Sequence, residues 1–149
     1  MVEINNVTKA KINSARTIKL VEKFLRVYKK PTNEVSIALV GTTRMRRLNN
    51  DYRGIDKTTD VLSFSAEIQN SRAGRGEIKN YLGEVIINIA ETKKANKYLE
   101  VFGVKKSADY IFYFLLIHGL LHLIGYTDEK EADRLKMLSL GQKFLEMNL

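Results

Sequence analysis

The chain of 149 residues has no cysteine, one proline and only two histidines. Lack of cysteine excludes disulfides and thiolate metal ligands, and is compatible with a reducing cytoplasm, where the chain is expected to reside. Long hydrophobic runs are missing too. The longest, Ile111 to Ile117, falls well short of the roughly 20 residues that span a bilayer, so it reads as a buried helix. The N-terminal Met1-Val2-Glu3-Ile4-Asn5-Asn6 carries no apolar signal core, and no membrane partner is expected. There is no internal repeat, low-complexity stretch or linker, so residues 1–149 are read as one domain.

What is present is a core-forming composition, 44% hydrophobic and 28% charged, as in folded globular proteins. Lysine and arginine number 25 against 17 acidic residues, a formal charge of +8. An excess of that size on a small chain favours a polyanionic partner, nucleic acid first and an anionic membrane surface second.

Both histidines fall in Phe114-Leu-Leu-Ile-His118-Gly-Leu-Leu-His122-Leu-Ile-Gly125-Tyr-Thr-Asp128. Four residues along an α-helix rise about 6 Å and turn slightly more than a full circle, so His118 and His122 share one face. A single histidine in an apolar helix is ordinarily a core residue. Two on one face, followed by a glycine able to end the helix and by an acidic residue, instead form a ligand set. His118, His122 and Asp128 then offer two imidazoles and a carboxylate, with a fourth position open, which is a catalytic zinc arrangement. Gly119 stands where a zinc peptidase carries its general-base glutamate, which argues against peptide hydrolysis.

Along the chain, Ile18, Val21, Phe24, Leu25 and Tyr28 recur at helical spacing over residues 14–29, with Ser14 as N-cap and Lys29-Lys30-Pro31 as the stop. Residues 34–40 alternate and are β-rich, predicting a strand. A short helix from Arg44 to Tyr52 follows, capped by Thr42 or Thr43. Strands are expected at Val61 to Phe64 and Tyr81 to Asn88, with a loop or hairpin arm from Glu67 to Asn80 between them. From Ile89 the pattern turns helical. Lys93, Lys94 and Lys97, extended by Lys105 and Lys106, form either a solvated face or an RNA contact. A helix from about Ser107 to Gly125 carries the histidines, and a last one from Asp128 to Met147 turns Leu135, Leu138 and Leu145 inward. This order predicts an α+β fold: a small mixed β-sheet packed by several helices, with the histidines on a central buried helix.

Two stretches together resemble the YbeY family of endoribonucleases, which mature ribosomal RNA. Leu48-Asn49, Tyr52-Arg53, Asp56 and Thr59-Asp60-Val61-Leu62-Ser63-Phe64 are similar to its first signature, and Leu82 to Ile87 to the strand before its long helices. His118-Gly-Leu-Leu-His122-Leu-Ile-Gly125-Tyr126 is similar to its metal motif, and the likeness runs from about Val35 to Gly125. The resemblance implies a zinc-dependent endoribonuclease preferring single strands. It would act at the 3′ end of 16S rRNA and in ribosome quality control, with RNA and the small ribosomal subunit or its proteins as partners and no DNA. Where the family usually has Gly-Tyr-Asp-His, this chain reads Gly125-Tyr126-Thr127-Asp128, placing Asp128 in the register of a third histidine, with Glu129 one residue away. Thr58 replaces a usual proline.

The resemblance also singles out Arg53, otherwise a surface arginine in a basic loop, as the residue that contacts the scissile phosphate. Together with His118 and His122 it makes up the expected catalytic set, with one Zn²⁺ per chain. No residue declares itself as general base. A non-catalytic, basic ribosome- or RNA-binding protein with a weakened or structural metal site is the alternative, and a hydrolase of another class, such as a peptidase, a more distant one.

Overall fold

The computed structural model describes residues 1–66 and 80–149. Four strands form one mixed sheet in the order β1-β2-β4-β3, with β1 Val2–Asn6, β2 Glu34–Val40, β3 Val61–Ser65 and β4 Tyr81–Asn88. β1 and β4 run parallel to β2 on either side, and β3 closes the edge antiparallel to β4. The chain crosses from β1 to β2 through α1 (Ser14–Val27), and α2 (Thr42–Arg53) follows β2. Beyond β4 come two 3₁₀ turns, the one-turn helix α3 (Leu99–Phe102), α4 (Ala108–Leu123) and α5 (Glu131–Asn148). The expected α+β architecture is therefore the observed one.

Alternation along the strands divides the interior in two, because successive side chains point to opposite faces. Val35, Ile37 and Leu39 of β2, with Val85 and Ile87 of β4, join the large core built with α1, α4 and α5. Ala38, Val40 and Ile86 turn the other way and meet Leu62, Phe64 and Met45 of α2. α4 is apolar around its whole circumference, and eleven of its residues are buried. A helix with no polar face must be surrounded, and α4 lies between the sheet and α5 as the central element.

Several local expectations need correction. β1 was not expected, since Glu3, Asn5 and Asn6 are exposed and only Val2 and Ile4 pack against the core. It is an edge strand, defined by its parallel register with Val35 to Leu39 rather than by its own composition. Asn13, not Ser14, caps α1 by accepting from the Arg16 amide at 3.0 Å. Gly41 precedes α2 and has no side chain to cap it, while Thr42 lies inside the helix and its hydroxyl oxygen accepts from Asn88 Nδ2 at 3.4 Å. The last helix starts at Glu131, so Asp128 lies in the connection before it. Leu135 is 53% exposed and Met137 takes the inward position, with Leu145 buried as expected. The predicted loop over residues 67–80 lies, except for Asn80, outside the described residues.

Candidate metal centre

The site begins with how α4 ends. Gly125 has φ of 108°, a backbone conformation that L side chains rarely adopt, and the chain reverses there. The Gly125 amide donates to the His122 carbonyl at 3.0 Å and the Tyr126 amide to the Leu121 carbonyl at 3.1 Å, which satisfies the exposed helix end. The reversal brings Tyr126 beside α1, where its ring stands edge-on to Tyr28 at 6.4 Å. Three residues beyond the glycine, Asp128 faces back onto the histidines.

Asp128 Oδ2 lies 3.3 Å from His118 Nε2 and 3.2 Å from His122 Nε2. Ligand atoms held about 2.0 Å from a tetrahedral ion stand about 3.3 Å apart, so the carboxylate has the spacing of one shared coordination shell with each imidazole. One donor atom from each of the three residues falls within 4.8 Å of the others. His122 Nδ1 lies 3.0 Å from the Tyr126 carbonyl. A carbonyl only accepts, so the proton sits on Nδ1 and donates, leaving the Nε2 lone pair directed at Asp128. A lone pair facing a carboxylate oxygen is unfavourable until a cation lies between them, and the donor set fits a metal for that reason. His118 is oriented differently. Its Nδ1 is buried without a hydrogen-bond partner among the described residues, and packing against the Phe114 ring at 6.1 Å holds the imidazole.

Electrostatics point the same way. Burial, reinforced by His122, holds the His118 imidazole below its ordinary pKa despite the opposing pull of Asp128 and Asp60. Burial pushes the Asp128 carboxyl up, but the two histidines more than reverse it and hold the group below the usual carboxylate value. A neutral imidazole and an ionised carboxylate are the protonation states that bind metal.

The ligand group opens into a cleft of about 700 Å³ whose walls include Arg53, Tyr52, Asp60, Ser63 and Tyr98. Arg53 is exposed in the last turn of α2, just before Gly54 begins the loop to β3. The fold thus brings together all four residues expected from the sequence: Arg53, His118, His122 and Asp128 line one cleft. Gly119 also finds its reason here. A Cβ at that position would lie 2.5 Å from Val85 Cγ1, so a glutamate cannot be placed there without moving the helix off β4.

Two features escaped the sequence. Asp60 lies within the quoted signature but carried no assigned role, and Tyr98 was not singled out; the Tyr98 hydroxyl donates to Asp60 Oδ2 at 2.9 Å. The lysine surface is also less free than expected. Lys94 and Lys97 each reach the buried Glu91 carboxylate at 2.8 Å, so two of the five charges are paired.

An α+β fold carries here a two-histidine helix and a returning carboxylate that could hold a metal ion, open to a cleft with an arginine at its wall. The sequence profile of Endoribonuclease YbeY matches residues 3–148, and the chain belongs to the YbeY endoribonuclease family. The chain is 38% identical over 118 residues to Endoribonuclease YbeY of Limosilactobacillus fermentum, covering 76% of this chain and 72% of that protein. It is 34% identical to the protein of the same name from Geobacillus sp., over 97% of this chain and 90% of that one. A solution structure of a Thermotoga maritima protein superposes with a TM-score of 0.59 over 98% of this chain and 87% of that chain; at 24% identity the likeness concerns the fold. Family membership makes the chain an RNA-cleaving hydrolase with a role in rRNA processing.

Proposed function

We propose that this protein is a zinc-dependent endoribonuclease that cleaves single-stranded regions of ribosomal RNA, with His118, His122 and Asp128 holding one ion and Arg53 engaging the scissile phosphate. The observation that carries this reading is the convergence of two imidazole nitrogens on one carboxylate oxygen at 3.2 and 3.3 Å, in the cleft that Arg53 lines. A zinc ion bound there supplies a Lewis acid and lowers the pKa of bound water toward neutrality. The protein's own part is orientation and charge. The Tyr126 carbonyl sets the His122 tautomer, and Asp128 replaces the family's usual third histidine with an anionic donor, which reduces the net positive charge of the loaded site. The Arg53 guanidinium presents a planar fork to two phosphoryl oxygens and stabilises the charge that builds there.

The chain acts, in this reading, as one catalytic domain in the cytoplasm. Its substrate is the 3′ region of 16S rRNA on the small ribosomal subunit or with its proteins, and its wider role is ribosome quality control. The formal charge of +8 suits a polyanionic substrate. No described helix is long and apolar enough to cross a membrane. Asp128 favours one other reading, a basic RNA-binding protein whose metal site has weakened.

The experiment is elemental mass spectrometry of the purified wild type, His122→Ala and Asp128→Ala, paired with cleavage of a labelled single-stranded RNA. Near one zinc per wild-type chain, lost in both variants together with cleavage, is the expected result. A wild type that takes up no zinc and binds RNA without cutting it overturns the catalytic reading in favour of the binding one.

A further inference from the structure

Hydrolysis of a phosphodiester is accelerated by a group that takes the proton of the attacking water, and the ligand set has none to spare. His118, His122 and Asp128 are engaged with one another at 3.2 and 3.3 Å, and Arg53 is a permanent cation. Among the described residues lining the cleft, Asp60 is the one remaining carboxylate.

Its setting is built rather than incidental. Asp60 lies where the α2–β3 loop enters β3, and its carbonyl accepts from the Asn88 amide at 2.8 Å. The Asn88 side chain is fully buried and donates to the Thr59 carbonyl and to Thr58 Oγ1, both at 3.2 Å, so the backbone approaching Asp60 is clamped to β4. The carboxylate is aimed from the opposite side. Tyr98, 5% exposed, donates its hydroxyl to Oδ2, and Lys97 Nζ stands 4.0 Å from the same oxygen. Lys97 is itself tethered to buried Glu91, which fixes this support. Burial, the Asp60 charge and hydrogen bond, and Glu91 raise the Tyr98 hydroxyl far above its ordinary pKa, so it remains a donor. With Oδ2 engaged, Oδ1 keeps, among the described residues, a 3.5 Å approach from the hydroxyl of its neighbour Thr59, which leaves it lone pairs for the cleft. The carboxylate is also near enough to His118 for its charge to act on that imidazole.

We propose that Asp60 is the general base of the RNA-cleaving reaction, held in position by Tyr98. An O–H bond of the attacking water breaks and its proton passes to Asp60 Oδ1 while the water oxygen bonds to phosphorus. The bond from phosphorus to the departing ribose oxygen breaks, and that oxygen leaves with the bonding pair and takes a proton from solvent. Asp60 then releases its own proton to solvent, restoring the enzyme. Tyr98 acts through Asp60 and is a positioning residue. This role rests on the function proposed above.

The test is single-turnover cleavage of a labelled single-stranded RNA by zinc-loaded wild type, Asp60→Asn and Tyr98→Phe, with zinc content, RNA affinity and melting temperature measured in parallel. Asp60→Asn is expected to lower the rate by about 10²-fold or more, the usual worth of a general base. Zinc content and RNA affinity should stay within about twofold of wild type. Tyr98→Phe is expected to lower the rate several-fold at unchanged RNA affinity. An active wild type alongside an Asp60→Asn that cuts at a comparable rate, or whose lost rate is matched by lost zinc or RNA binding, overturns this role and leaves the proposed function intact. An inactive, zinc-loaded wild type overturns both. Should Asp60→Asn fail to fold, Tyr98→Phe decides: a slower rate in a folded protein supports the role, and a wild-type rate overturns it.

Discussion

The Ser63 hydroxyl donates to the carbonyl of Gly119 at 2.9 Å, joining β3 to α4 at the helix position between His118 and His122. This bond joins the signature strand to the apolar helix that carries the histidines, and it forms because Gly119 has no side chain to keep the two apart. The same closeness makes the position intolerant. Gly119→Ala places a methyl group against Val85 and within 3.1 Å of Ser63 Oγ. Overpacking of this kind costs about 1–3 kcal/mol, against a helix-propensity gain of about 1 kcal/mol. The net expectation is a destabilised protein with weaker zinc binding, read by urea denaturation and by zinc titration.

Stability of the metal-free protein should fall in a defined pH window. The His118 pKa lies below its ordinary value of 6.5 in the folded protein, so above 6.5 the residue is neutral in both states and contributes nothing. As pH drops below that value the unfolded chain takes up the proton first, and native stability declines until the folded-state pKa is passed. The stability of wild type relative to His118→Gln, read from denaturation midpoints between pH 7.5 and 5, should decline as the pH falls. Parallel curves would sink this assignment.

Zinc should stabilise the wild type and not Asp128→Ala. An ion that binds the folded state alone adds about 2.7 kcal/mol when present at 100 times its dissociation constant. The expected result is a melting temperature that rises with added zinc for wild type and stays flat for Asp128→Ala. The effect should weaken as pH falls and protons compete for the imidazoles.

Glu91 is 3% exposed and is neutralised by two lysines, each about half exposed. Burial pushes its pKa up, yet the hydrogen bonds and charges of Lys94 and Lys97 bring it below the ordinary 4.5. A carboxylate with a depressed pKa stabilises the fold above its unfolded-state value and loses that contribution as pH falls through the folded-state one. Glu91→Gln is expected to cost about 1–3 kcal/mol at pH 7, a buried charge-assisted hydrogen bond with partners open to solvent. Chemical denaturation should show the cost shrinking below pH 4.5.

Arg53 is exposed, so Arg53→Ala should leave stability within about 0.5 kcal/mol. Loss of a charge-stabilising donor in a nuclease cleft should nevertheless cut the cleavage rate by about 10²-fold or more. Arg53→Lys should recover only part of it, because a point charge cannot replace a planar fork. A rate within a few-fold of wild type for Arg53→Ala would remove the residue from the catalytic set.

Where a local pattern was strong, the chain was legible. Alternation predicted β2 at its observed bounds, β4 was likewise expected at its own, and the apolar run predicted the buried helix α4. The i, i+4 histidines, the glycine and the acidic residue beyond it predicted the cluster of His118, His122 and Asp128 that the fold brings together. β1 was not legible, since an edge strand with three exposed polar residues has no pattern of its own and exists through pairing with β2. The inward leucines of α5 were only partly legible, because Leu135 and Met137 are close in sequence and the docking angle on α4 decides which is buried.

By itself, then, the sequence determined that two histidines share a helix face ahead of a turn to Asp128 and on what elements these residues ride, because helix and strand periodicities and a helix-ending glycine are local properties of the backbone. Only the tertiary structure decided that Arg53 stands in the same cleft as the histidines and that Tyr98 aims Asp60 into it. It also decided that two lysines serve a buried glutamate. Each of those relations spans sheet pairing or helix docking between segments remote or turned relative to one another, and sequence spacing carries no information about which side chains such packing brings face to face.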